Sequence, residues 1–177
     1  MLNGKRIAIL VEDDFEGNEL IEPLRAMKDA GARVVLVGSG SRESYQSKRG
    51  NLGVSVDTAA DRVKAGDFDA IIIPGGYAPD KMRLHRSMID LVRQAHDLGK
   101  IIAAICHGPQ LLISADIVRG RRVTSWASVT VDLENAGAIW VDEAVVHDDN
   151  LITSRKPADL PRFNKVIIDA LSAQGAL

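Results

Sequence analysis

Apolar residues along this chain come in short unbroken bursts rather than in strict alternation. Ile7-Ala8-Ile9-Leu10-Val11, Val34-Val35-Leu36-Val37, Ala70-Ile71-Ile72-Ile73 and Ile101-Ile102-Ala103-Ala104-Ile105 are four such runs. Runs of this length, rich in β-branched residues, suit strands buried on both faces, as in a parallel sheet. Between the runs the spacing changes to a helical one. Ile89, Val92 and Ala95 mark an amphipathic helix over residues 87–98, closed by Gly99. A helix follows the first run to about Ala30, with Gly31 placed to end it and Pro23 tolerable only in a first turn. The second run lies about twenty-five residues after the first, a normal strand-helix-strand repeat.

The rest of the chain is read in the same way. Residues 45–57 form an exposed hairpin or flap with a turn near Asn51-Leu52-Gly53, whose Lys48-Arg49 reads as a solvated tip. A short helical piece is expected over 58–63, short strands at 123–124 and 139–141, and a helix between those strands near 129–136. Residues 144–154 form a hairpin-like pair around Asp148-Asp149-Asn150, and 157–171 form a closing helix. Strands alternating with helices define an α/β chain with a mostly parallel central sheet and helices on both faces. With no repeat, low-complexity tract or linker, residues 1–177 are expected to make one domain.

Composition narrows the function classes. Of 177 residues 46% are hydrophobic and 26% charged, with a formal net charge of -2, which gives no global attraction to nucleic acid or an anionic membrane. The single cysteine cannot form an internal disulfide, so a reducing compartment is expected. No signal peptide or bilayer-length apolar stretch is evident, and the expected location is cytoplasmic. Tyr45, Phe68, Trp126 and Trp140 show no stacking pattern for nucleic-acid bases. His85, His96 and His147 lack metal-ligand spacing and read as surface or structural residues, so neither a metal nor a cofactor is expected. Arg119-Gly120-Arg121-Arg122 reads as a solvated basic connection.

Candidate chemistry gathers where strands end. Cys106 stands where a buried strand turns into the helix-forming Gln110-Leu111-Leu112-Ile113, with Gly108-Pro109 between. The frame Ala104-Ile105-Cys106-His107-Gly108 follows the logic of a nucleophile elbow, and amide dipoles there favour a thiolate. The competing reading is an inert buried thiol. Gly75-Gly76 follow the third run, and Glu16 lies in the acidic loop after the first. Ligands of such sheets bind outside the carboxyl ends of strands, so the three loops are expected to meet. Cys106 would be the nucleophile, and the N–H groups of Gly76 and His107 an oxyanion hole worth roughly 3 kcal/mol per donor. Glu16 would carry the proton and Cys106 the charge as a coupled pair, although a first-turn glutamate also complements its own helix dipole. A depressed thiol pKa follows from that reading. His107 needs an orienting carboxylate, for which Asp80 is the candidate, otherwise a plain first-turn helix residue.

The stretch Ala104-Ile105-Cys106-His107-Gly108-Pro109-Gln110-Leu111-Leu112-Ile113-Ser114-Ala115 resembles the PfpI-type intracellular protease family, a branch of the superfamily of the Parkinson-linked deglycase and glutamine-amidotransferase-like folds. The resemblance extends through Asp14-Phe15-Glu16, Ile73-Pro74-Gly75-Gly76 with Ala78-Pro79, Glu134-Asn135-Ala136-Gly137 and Thr153-Ser154-Arg155. It implies a flavodoxin-like three-layer sandwich, assembly as homodimers or larger rings, Cys106 as nucleophile and Glu16 hydrogen-bonded to its sulfur. Gly76 and His107, beside Gly75, would bind the oxyanion. In proteolytic members a glutamate of a neighbouring subunit orients the histidine, and that position falls on Asp80, one methylene shorter. The leading expectation is a stress-protective cysteine enzyme acting on reactive dicarbonyls or their adducts, by hydrating methylglyoxal to lactate or by deglycation. The alternatives are an intracellular cysteine peptidase and a non-enzymatic redox sensor or chaperone-like protein with an oxidisable Cys106. Small carbonyl compounds, glycated adducts or peptides are the corresponding substrates.

Overall fold

The computed structural model describes residues 1–175. In chain order its elements are β1 (Arg6–Val11), α1 (Gly17–Asp29), β2 (Arg33–Gly38), β3 (Ser44–Gln46), β4 (Gly53–Ser55), β5 (Thr58–Ala59), β6 (Ala70–Ile73), α2 (Ala78–Met82), α3 (Arg86–Asp97), β7 (Ile101–Ile105) and α4 (Pro109–Ser114). There follow β8 (Arg122–Val123), α5 (Thr130–Asn135), β9 (Ile139–Trp140), β10 (Val145–Asp148), β11 (Leu151–Ser154) and α6 (Leu160–Gln174). The central sheet runs β10-β11-β7-β6-β1-β2-β5, parallel throughout except for β10. The α/β, mostly parallel architecture expected from the apolar runs is the one observed.

The apolar runs explain the middle of that sheet. Every residue of β6 and β7 is buried, as is every residue of β1 after Arg6. Helices cover both faces, so these strands need no polar side. Strand order reverses between β1 and β6: β2 lies on one side of β1, while β6 and then β7 lie on the other. The crossovers diverge there and leave a crevice beyond Val11, Ile73 and Ile105.

Three expectations need correction. Pro23 stands inside α1, beyond its first turn, and removes the backbone hydrogen bond that the Glu19 carbonyl would otherwise receive. The helical piece expected over 58–63 is instead the edge strand β5 followed by a 3₁₀ turn at Ala60–Arg62, because Thr58 and Ala59 pair with Val37 and Gly38. The β3–β4 hairpin is present but is not a free flap. Tyr45 is fully buried, Asp14 N–H donates to Gln46 O at 2.8 Å, and Gln46 N–H donates to Asp13 Oδ1 at 3.0 Å. The hairpin is thereby fastened to the acidic loop.

Candidate active site

The acidic loop after β1 works as a set of staples. Glu12 accepts from Ser39 and Ser41 and lies 3.6 Å from His85 Nε2; Asp14 pairs with Lys81 at 2.6 Å. Glu16 pairs with Lys48 Nζ at 2.6 Å. Each acid ties the loop to a different neighbour, which fixes its backbone over the crevice. Phe15 bridges to Ser47 on one side and to Gly76 on the other.

Cys106 has φ of 62°, in the left-handed region that costs a non-glycine residue on the order of 1–3 kcal/mol. The surroundings over-determine it: its N–H donates to Ser154 O and its carbonyl accepts from Trp126 N–H, both at 3.0 Å. Its side chain is buried without being sealed, at 9% exposure. The elbow expected from the motif is present. The helix behind it spans only six residues, so the groups that stabilise charge at sulfur are the individual N–H groups of Gly76 and His107.

The glycines make the approach possible. Gly76 has φ of 78°, and a Cβ there would collide with the backbone of Asp14, Phe15 and Glu16. A Cβ on Gly75 would lie 2.5 Å from Glu19 Oε1 and 2.7 Å from Cys106 Cβ. Only bare backbone fits between the acid and the thiol.

That acid is Glu19, not Glu16. Glu16 turns to Lys48, whereas Glu19, on the first turn of α1, is completely buried and accepts the Gly75 N–H at 2.8 Å through Oε1. Its Oε2 has no hydrogen-bond partner among the described residues, and the Cys106 side chain is a neighbour that bears on its ionisation. The expected hydrogen bond from Glu16 to the sulfur is therefore corrected, for a geometric reason: residue 16 precedes the helix and points to the hairpin, and residue 19 points inward.

The expected depression of the thiol pKa is corrected too. Burial, reinforced by the charge of Glu19, pushes the Cys106 thiol up to about 12 against the opposing N–H groups of Gly76 and His107 and the charge of Lys48. Burial likewise pushes Glu19 up to about 8, with Glu16 adding to it and the Gly75 N–H opposing. The two groups repel as anions and share a site, so their titration belongs to the pair. The first ionisation, near 8, leaves one proton and one negative charge to be shared by sulfur and carboxyl; the second is held far higher.

His107 is half-buried, and burial, helped by Lys48, holds it neutral below the usual imidazole range. Its N–H faces the sulfur together with that of Gly76, as the oxyanion-hole expectation requires of the resting site. His85, His96 and His147 each have a polar partner, but among the described residues His107 has none. Asp80 is exposed on α2 and makes no polar contact with His107 within the chain. Lys48, first read as a solvated tip, belongs to the site's electrostatics. Among the described residues no group of three His, Cys, Asp or Glu side chains is arranged to hold a metal ion, and no helix is long and apolar enough to cross a membrane.

A doubly wound parallel sheet carrying a cysteine elbow at its topological switch point, beside a buried acid, defines a class of cysteine-centred α/β proteins. Comparison with known proteins places the chain within that class: the profile of the DJ-1/PfpI family matches residues 5–170, and the chain belongs to the DJ-1/PfpI family. It is 41% identical over 171 residues to protein/nucleic acid deglycase 2 of Escherichia coli, covering 96% of this chain and 99% of that one. It is 40% identical over 166 residues to the deglycase PfpI of Pyrococcus furiosus, covering 94% and 99%. Among solved structures, a two-domain protein of Anabaena variabilis with DJ-1/ThiJ/PfpI-like and ferritin-like domains superposes with a TM-score of 0.93 at 46% identity, covering 98% of this chain and 50% of that one. The flavodoxin-like fold implied by the cysteine motif is thus the fold of the chain.

Proposed function

We propose that this protein is a cysteine-dependent enzyme acting on reactive dicarbonyls or on the adducts they leave on proteins and nucleotides. The observation that carries the reading is the buried Cys106–Glu19 pair, the thiol under the backbone N–H groups of Gly76 and His107 and the acid bound to the N–H of Gly75. Relatives named as deglycases, at about 40% identity over nearly the full chain, support the same reading.

The chemistry follows from the pair. Sulfur, negative, adds to the aldehyde carbon of a dicarbonyl; the C–S bond forms as the carbonyl π electrons move to oxygen. The N–H groups of Gly76 and His107 are the donors beside that new oxyanion. Glu19, carrying the pair's remaining proton, gives it to the oxygen and completes a hemithioacetal. Neutral His107 is the base suited to move the carbon-bound proton to the adjacent carbonyl carbon by way of an enediol, which yields a thioester. Water then releases the α-hydroxy acid and restores the thiol, so the net change is addition of one water. In a deglycation the aldehyde carbon is already bonded to the amine nitrogen, so the C–S bond forms there as the C–N bond breaks, the amine leaves with the proton of Glu19, and the same hemithioacetal results.

Peptide cleavage asks for more, because an amine leaving group needs a histidine that is oriented as an acid. Among the described residues His107 has no carboxylate partner, and Asp80 could serve only from another copy. The test is methylglyoxal consumption with stoichiometric lactate formation. Cys106→Ala should abolish it, and Glu19→Gln should lower it on the order of a hundredfold or more. Retention of activity in Cys106→Ala would overturn the reading.

A further inference from the structure

The hairpin tip bears on the reacting pair through an unbroken layer of backbone. Lys48 N–H donates to Phe15 O at 3.0 Å, and Phe15 bridges onward to Gly76. Glu16 N–H donates to Gly75 O at 3.1 Å, and Gly75 is the residue pressed between Glu19 and Cys106. On this layer stands the Glu16–Lys48 ion pair, at 2.6 Å, with the lysine side chain 33% exposed and the glutamate 15%. Lys48 is thus a cation whose charge bears on a site that must hold one negative charge, and Glu16 is the anion paired with it.

We infer that Lys48 is a positioning residue for the reaction: opposed by its partner Glu16, its ammonium sets how readily the shared charge of the Cys106–Glu19 pair forms and resides on sulfur. The groups that face the pair are few. Lys48 favours the ionised forms of both Cys106 and Glu19 and disfavours protonated His107, while Glu16 opposes ionisation of Glu19. The two members of the ion pair therefore push the site in opposite directions, and a hairpin that merely held the loop in place would not. The inference rests on the reading that Cys106 is the reacting group, but not on the identity of the carbonyl substrate.

The test is the pH dependence of Cys106 alkylation by iodoacetamide, a neutral probe, in full-length protein. Lys48→Met should move the midpoint of the rise upward by on the order of half to one pH unit, and Glu16→Gln should move it downward by a similar amount. Lys48→Arg should restore the wild-type position, and the double variant Lys48→Met with Glu16→Gln should return close to it. Loosening of the hairpin would shift both single variants the same way, so shifts of one sign, or no shift in either, would overturn the inference. Opposed shifts in a protein that does not consume methylglyoxal would uphold the role of Lys48 while removing the dicarbonyl reading.

Discussion

The molecule buries two polar clusters at opposite ends of its sheet, and they are built on opposite plans. Before the amino end of β11, Asn150 spends both ends of its amide: Nδ2 meets His96 Nδ1 and Lys100 O at 3.0 Å, and Oδ1 accepts from Arg121 at 3.2 Å. Arg121 also donates to Asp148 O at 2.6 Å. At the carboxyl end of β1 and β7, Glu19 is buried more deeply, yet one of its oxygens has no hydrogen-bond partner among the described residues, and the neighbouring Cys106 has positive φ. A cluster whose donors and acceptors are all matched holds a structure together. A buried acid left half-matched beside a strained cysteine lowers stability, as groups poised for chemistry do.

The contrast is best sharpened by breaking each cluster. Asn150→Ala strands the Lys100 carbonyl and one partner each on His96 and Arg121, and should cost about 2–4 kcal/mol in denaturant unfolding while leaving Cys106 reactivity per folded molecule unchanged. A comparable loss of Cys106 reactivity would show that the two ends are coupled. Glu19→Gln should have the opposite sign. Between the ordinary carboxyl value of 4.5 and about 8 the unfolded chain has released this proton and the folded chain keeps it, so wild-type stability falls as pH rises through that window. The variant lacks this loss. Its stability relative to wild type should therefore climb from pH 4.5 to 8 with a slope of at most about 1.4 kcal/mol per pH unit, and then level off. Parallel curves for the two proteins would place the Glu19 carboxyl outside the buried pair.

How the sequence anticipated this site shows what a linear reading sees. The buried strands were legible because parallel-sheet interiors need uninterrupted apolar runs, and the turn at Cys106 because a strand can end so abruptly only in small or strained residues. Glu16 was named as the acid and Glu19 was not considered, although periodicity marked it. Glu19, Pro23 and Met27 fall at i, i+4 and i+8 and all lie on the buried stripe of α1, so a carboxylate on that stripe was the signal of a buried acid. Lys48 was unreadable for another reason. It reaches the site only because the hairpin folds back onto the acidic loop, a contact between residues distant along the chain that no local pattern encodes. The thiol's raised pKa follows from desolvation, and burial depth at a strand end depends on the three loops that close over it. Asp80 was assigned to His107 as the carboxylate available after the third strand and again by the resemblance, and among the described residues that histidine has no carboxylate partner.

The shared proton is tested most directly by the rate of Cys106 alkylation against pH in the wild type and in Glu19→Gln. The expected result is a wild-type rise centred near 8, the first ionisation of the pair, and a rise in the variant moved past the ordinary thiol value of 9. Identical profiles in the two proteins, or a wild-type rate that stays flat through 8 and climbs only toward 12, would mean that sulfur and carboxyl titrate apart.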